Sequence, residues 1–278
     1  MKPYLHLTLR TLLALLLCAA AASAQEGEGP LHRVDPTGIT VNDLIQKFAA
    51  KEKAFKTARE QYTWTQTVRV QTLEGNSVDG EYMQVFDVVF DERGRRLQNI
   101  KYAPQNTLSR IEMTQEDLDD IEKRMPFTMT SDDVGLYNVL YLGQQQEDEL
   151  NCYVFDISPK QMEKGKRYFE GRIWVDDHDY QIVKTYGKNV PDLRKPKKGE
   201  ENLFPRFTTW REQVDGAYWF PTYTKVDDTL HFTMEDVHIR QVVKYENYKR
   251  FGAKTRVLFG GEEVKDETTP SPEKDKKK

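Results

Sequence analysis

The densest group of side chains able to do chemistry is Asp176-Asp177-His178-Asp179. Carboxylates suit a hard cation and an imidazole a softer one. The same tetrapeptide joins two strand-like runs, however. Asp favours turns because its carboxylate bonds nearby backbone N–H groups, so a solvated turn explains the cluster without an ion. His32, His231 and His238 add no ligand spacing, and no metal is expected. His231 and His238 lie seven apart, which on one regular strand puts them on opposite faces. The acid pairs Asp119-Asp120 and Asp132-Asp133 lie at or near expected helix starts, where the helix dipole attracts acids. No G-x-S-x-G, H-E-x-x-H, P-loop or Rossmann pattern occurs. Glycosidase-like carboxylate pairs leave no signature in sequence, so an enzyme of unknown class stays as an alternative. The reading adopted is non-catalytic, with no cofactor.

Other side chains could bind rather than react. Arg194, Lys195, Lys197 and Lys198 form a basic loop, suited either to peripheral membrane contact with anionic headgroups or simply to solvation. Trp64, Phe86, Trp174, Trp210 and Trp219 fall in strand-like runs, and Leu136 and Leu140 in an uncharged run. These seven are the candidate lining of a hydrophobic cavity, and ordinary core packing explains each of them equally well. Cys152 lies in an alternating run and reads as a small buried apolar residue.

These side chains need elements to hold them. Val41, Leu44, Ile45, Phe48, Phe55 and Ala58 recur at helical spacing, which predicts an amphipathic helix over 38–59 capped by Thr40 and Asp43. The period then becomes two, with strands expected near 62–70, 82–90 and 95–102. Thr114 with Asp117 predicts a short helix that presents Leu118, Ile121 and Met125 and ends at Pro126. A second helix is expected over 132–142, where Val134 to Leu142 carry no charge and Gly143 can stop it; it would be either a lid or core. Strands resume near 149–157, 167–175, 180–187, 204–214, 217–226 and 229–248. The last is expected to bend at Glu235-Asp236. Asp215-Gly216 signals a two-residue hairpin. Consecutive strands with tight turns make an antiparallel meander.

The chain of 278 residues can bury a large core. Charged residues make up 31% and the mean hydropathy is −0.75, which excludes a bundle of membrane-spanning helices. A net charge of −4 gives no reason to expect nucleic acid. Lys2 and Arg10, the apolar run to Cys18 and the small residues ending in Ala22-Ser23-Ala24 make the pattern of a secretory signal peptide over 1–24, cleaved after Ala24. That predicts export to the periplasm. With Cys152 alone in the mature chain, no intramolecular disulfide can form. Residues 25–37 read as a flexible lead-in, 38–259 as a single domain and 260–278 as a disordered charged tail.

The order of these elements resembles the lipoprotein-sorting superfamily of LolA, LolB and RseB relatives. Gly171-Arg172-Ile173-Trp174-Val175-Asp176 followed by Tyr180-Gln181-Ile182-Val183-Lys184 is similar to a hairpin of that family, and Asp215 to Thr222 is similar to a later one. The resemblance covers roughly 40–251. It implies an α+β fold, mainly β, in which a curved antiparallel sheet forms an unclosed barrel plugged by helices. It further implies a monomer that binds lipid or lipoprotein acyl chains between sheet and helices. The sensor branch implies an alternative, an envelope sensor or scaffold that holds a protein partner. The carriers gate their cavity with an arginine, for which Arg69, Arg110, Arg172 and Arg211 are all candidates here.

Overall fold

A computed structural model of the chain describes residues 28–91, 93–191, 204–232 and 234–251. The expected signal peptide, the basic residues of the 194–198 loop and the charged tail lie outside them. Among the described residues, no helix is long and apolar enough to cross a membrane.

Ten strands form one antiparallel sheet. They are β1 (Tyr62–Glu74), β2 (Ser77–Phe90), β3 (Arg96–Tyr102), β4 (Tyr137–Glu147), β5 (Leu150–Pro159), β6 (Tyr168–Asp176), β7 (Ile182–Val190), β8 (Phe207–Val214), β9 (Tyr218–His231) and β10 (Asp236–Arg250). The spatial order is β3-β2-β1-β10-β9-β8-β7-β6-β5-β4, so β4 to β10 form a meander and β1 adds beside β10. The sheet ends at β3 and β4 and does not close. The mainly β architecture expected from the sequence is the one observed.

Alternation sorts each strand into a face that packs on the helix and a face that does not. Helix α1 (Val41–Arg59) buries Leu44, Ile45, Phe48, Ala49, Phe55 and Ala58 against the first face. Its N-cap is the expected one, with Asp43 N–H donating to Thr40 Oγ1 at 3.1 Å. Phe48 meets Phe155 of β5 with ring centroids 5.3 Å apart. The rest of the cover comes from residues 104–136, which hold helix α2 (Gln115–Asp119), a π-helical turn over Asp120–Arg124 and a 3-10 turn over Val134–Leu136. Thr114 and Asp117 form the expected capping box at α2. Ile121 and Met125 are buried beneath this segment.

Two sequence expectations are corrected. The helix expected over 132–142 is only the 3-10 turn, and Tyr137 to Glu147 form edge strand β4, paired with β5 from Tyr137↔Pro159 to Glu147↔Leu150. The uncharged run hid a period of two. Tyr137, Val139 and Tyr141 pack with the main core, while Asn138 and Leu140 point the other way. Gly143 stops no helix. It sits at a β4 bulge with φ 139°, where residues 28–34 cross β4, and a Cβ there would lie 2.1 Å from the His32 carbonyl oxygen. The second correction concerns 229–248. Thr229–His231 end β9, a turn follows, and β10 begins at Asp236. His231 and His238 therefore belong to different strands, bonded to Asp236 at 2.8 Å and Asp227 at 2.7 Å. The Asp215-Gly216 hairpin is as expected, with φ of 54° and 65°.

Candidate functional site: an apolar cavity beneath the 104–136 segment

The β6–β7 ladder brings Gly171 opposite Gly187. A Cβ on Gly171 would lie 2.2 Å from the Tyr186 carbonyl oxygen, and one on Gly187 would lie 2.7 Å from Phe169 Cζ. The two glycines let the Phe169 ring lie across both strands, where it stacks on Phe127 at 4.4 Å and meets Phe207 at 5.9 Å. This aromatic stack carries the 104–136 segment on the sheet.

Between that segment and β1, β10 and β9 lies a cavity of about 280 Å³. Its floor is Val70, Leu230 and Ile239 from the sheet, with Phe207 beside them, and its roof includes Ile121 and Met125. Ile111 and Met113 enter from the chain leading to α2. Gln241 is held by Met125, its Nε2 donating to Sδ at 3.2 Å. The rest of the lining is polar, with Arg110, Glu112, Glu116, Asp117 and Asp120 on the cover side, and the volume lies just below the roughly 300–1,000 Å³ common for ligand pockets.

The cover is held by polar clamps centred on arginines. At the cavity mouth, Arg110 donates to Asp79 and Glu235, both at 3.1 Å, and to the Asp236 carbonyl at 2.9 Å. At the π-helical turn, the buried Asp120 carboxylate receives Arg124 and pairs with Arg167 at 2.9 Å. Burial pushes the Asp120 carboxyl above its ordinary range, and the two arginines oppose that shift. Deepest is Arg211 on β8. Its Nη1 lies 3.1 Å from both oxygens of Glu52 on α1, and its Nη2 donates to the Phe127 carbonyl. Glu52 is fully buried and also accepts from Ile182 N–H of β7 at 3.1 Å. Burial pushes the Glu52 carboxyl up, against the pull of Arg211 and that N–H. One ion pair thus joins α1, β7, β8 and the cover. Of the four arginines considered from sequence, Arg211 is inside, Arg110 is at the mouth, and Arg69 and Arg172 pair on the other face with Glu81 and Asp156.

The seven residues named from sequence are not all brought together: Leu140, Trp174 and Trp210 line one groove on the face turned away from α1, and the other four lie elsewhere. Trp64 and Phe86 are buried in the main core beside α1, Trp64 against Phe90 and Tyr248. Trp174 and Trp219 belong to a small cluster on the opposite face with Cys152 and Val154. Trp210 is half-buried on that face against Tyr223, 5.7 Å away. Leu136 and Leu140 are 45% and 63% exposed. None lines the 280 Å³ cavity. Its actual lining mixes residues of five strands, β1, β7, β8, β9 and β10, with the segment that covers them. Of its apolar lining, Ile121 and Met125 had a sequence signal through their helical spacing behind Thr114; Arg110, Thr114 and Asp117 were singled out for other reasons. The Asp176–Asp179 turn is a turn, with Asp176 accepting from His178 N–H and Asp179 N–H, and Asp179 receiving Trp219 Nε1 at 2.9 Å. Among the described residues no group of metal-ligating side chains comes together.

No family model matches the sequence, and no curated protein matches it. The fold resembles that of LolA-like proteins of known structure. A DUF1329 family protein from Desulfovibrio piger is 16% identical, with a TM-score of 0.41, over 80% of this chain and 96% of its own. A LolA superfamily protein from Nitrosomonas europaea is 14% identical, with a TM-score of 0.32, over 73% and 94%. An outer membrane lipoprotein-sorting protein domain from Vibrio parahaemolyticus is 13% identical, with a TM-score of 0.35, over 77% and 95%.

Proposed function

We propose that this chain is an exported, periplasmic, non-catalytic protein that binds the acyl chain of a lipid or lipoprotein in the cavity beneath the 104–136 segment. The observation that carries this reading is the cavity itself, with an apolar floor from the sheet beneath a cover that adds Ile111, Met113, Ile121 and Met125 and is held through polar clamps. An acyl chain has no polar group along its length, so its binding requires apolar area and little else. At about 280 Å³ the cavity suits one chain rather than several. The clamps fit a cover that opens, because hydrogen-bonded ion pairs can be exchanged for water where interlocked apolar packing cannot. Arg211 is the arginine whose position suits a gate, since it ties the cover to helix and sheet together.

Native mass spectrometry of the protein purified from its own envelope tests this. Co-purifying lipid at unit stoichiometry is expected, and a fluorescent fatty acid should compete with it. A protein that carries no lipid and takes up no fatty acid refutes the carrier. The sensor reading, with a protein partner, is favoured by edge strand β3, whose Ile100 and Tyr102 are 62% and 55% exposed. A stoichiometric protein in the same spectra would support it.

A further inference from the structure

Arg124 and Arg167, the two arginines that hold Asp120, also line a second pocket, of about 190 Å³. Lys56 from the last turn of α1 and Lys123 from the π-helical turn join them. Four cations from three parts of the chain thus line one small space. Among the described residues of that lining, Asp133 is the one carboxylate.

The pairings leave a cationic excess. Lys123 pairs with Asp119 at 3.1 Å, while Arg124 and Arg167 share the single Asp120 carboxylate. Asp133 is engaged by Thr130, through its N–H at 3.1 Å and its O–H at 2.6 Å. Lys56 forms no ion pair among the described residues. Two arginines on one carboxylate and an unpaired lysine outweigh Asp133, so the pocket attracts an anion and repels a cation. Its donors are open to a ligand. Arg124 gives only Nη1 to Asp120, its side chain is 29% exposed, and its Nε and Nη2 bond to no described residue. Lys56 and Lys123 are exposed, and an ammonium has three donors. Thr128 adds a half-buried hydroxyl that bonds to no described residue. A guanidinium edge, two ammonium groups and a hydroxyl suit a tetrahedral oxyanion, whose several oxygens accept from many donors at once. A carboxylate, with two oxygens, would leave donors unused. The volume equals roughly six waters at about 30 Å³ each, room for a phosphate group and little more.

We propose that this pocket is an anion site that takes a phosphate group, carried on a lipid headgroup or present as free phosphate, held by Lys56, Lys123, Arg124 and Thr128. The site stands on charge and open donors and does not depend on the acyl cavity, so it holds whether or not that cavity takes a chain.

The test is calorimetric titration of the purified exported protein with inorganic phosphate, with a lysophosphatidate and with a fatty acid of the same chain length. Binding of phosphate or lysophosphatidate is expected to weaken at least fivefold in Lys56→Gln, and further when Lys123→Gln is added. Lys53→Gln removes a lysine of the same helix that pairs with Asp132 outside the pocket, and should leave binding unchanged. Phosphate bound as tightly as lysophosphatidate identifies free phosphate as the ligand. Lysophosphatidate bound more tightly than both phosphate and the fatty acid identifies a headgroup. Lysine-dependent phosphate binding in a protein that takes up no fatty acid supports this site and refutes the acyl reading alone. The proposal is overturned if neither phosphate nor lysophosphatidate binds, if their binding survives the double lysine substitution, or if Lys53→Gln weakens it as much as Lys56→Gln does.

Discussion

Replacing Arg211 by Met removes the cation from a carboxylate that has nowhere else to go. Glu52 is fully buried, and without Arg211 its only hydrogen-bond donor among the described residues is Ile182 N–H. Removing one partner of a buried pair costs about 3–5 kcal/mol, because the charge left behind is uncompensated. Here the Phe127 carbonyl also loses its donor, while Arg59 still attracts the carboxylate, which keeps the cost within that range. Against a total stability of about 5–15 kcal/mol, that is a large fraction. For a domain of this size each kcal/mol shifts Tm by about 2–4 °C, so a fall of roughly 6–20 °C is expected. Replacing both partners, Glu52→Leu with Arg211→Met, removes the stranded charge and should restore most of the loss, since apolar replacements of buried pairs are often neutral or stabilising. Urea unfolding of the wild type, both single variants and the double variant completes the cycle. If Arg211→Met costs under about 1 kcal/mol, or the double variant is as damaged as the sum of the singles, the clamp is not the coupled unit described and the reasoning fails. The double variant has a further use: it should keep stability while loosening the cover, seen as faster amide exchange across Met125–Met129.

Leu230→Trp places an indole in the acyl cavity and should lower fatty-acid affinity at least tenfold with a stability change under about 2 kcal/mol, because the side chain fills space instead of displacing packed atoms; unchanged uptake in a fluorescence titration counts against the cavity as the site. Burial holds the Glu147 carboxyl above its ordinary 4.5, with Lys184 opposing. The folded protein therefore binds this proton more tightly than the unfolded chain, so the stability due to this group is fully present below 4.5 and lost as pH rises through the higher folded value. Glu147→Gln should accordingly flatten the fall in stability above pH 4.5 in urea melts, and an unaltered pH profile would contradict the shift. Gly171→Ala forces a Cβ onto the Tyr186 backbone oxygen 2.2 Å away, and backbone cannot swing aside as a side chain can; a loss of about 3 kcal/mol or more is expected in the same melts, against under about 1 kcal/mol for Gly135→Ala, which meets nothing within 4 Å.

Local patterns in the sequence determined most of the secondary structure. Helix α1, its Thr40 cap, the Thr114–Asp117 capping box and the Asp215-Gly216 hairpin depend on residues within a few positions of each other, so spacing and side-chain type are enough to specify them. The meander followed from consecutive strands with short turns. The run over 132–142 has a helical pattern in sequence because apolar residues on both faces mask a period of two, and only the ladder of β4 with β5 distinguishes the two periods. The site was less legible still. Trp64, Phe86, Trp174, Trp210 and Trp219 are alike in sequence, yet strand register sends the first two to the face packed on α1 and the other three to the opposite face. A shift of one residue in register would exchange those faces, and register is fixed by pairing between strands far apart in the chain. Arg211 shared its ambiguity with three other arginines until the fold brought Glu52, 159 residues away, against its guanidinium. Burial and partnership are properties of the packed sheet, and they separate one buried clamp from three arginines of the same type.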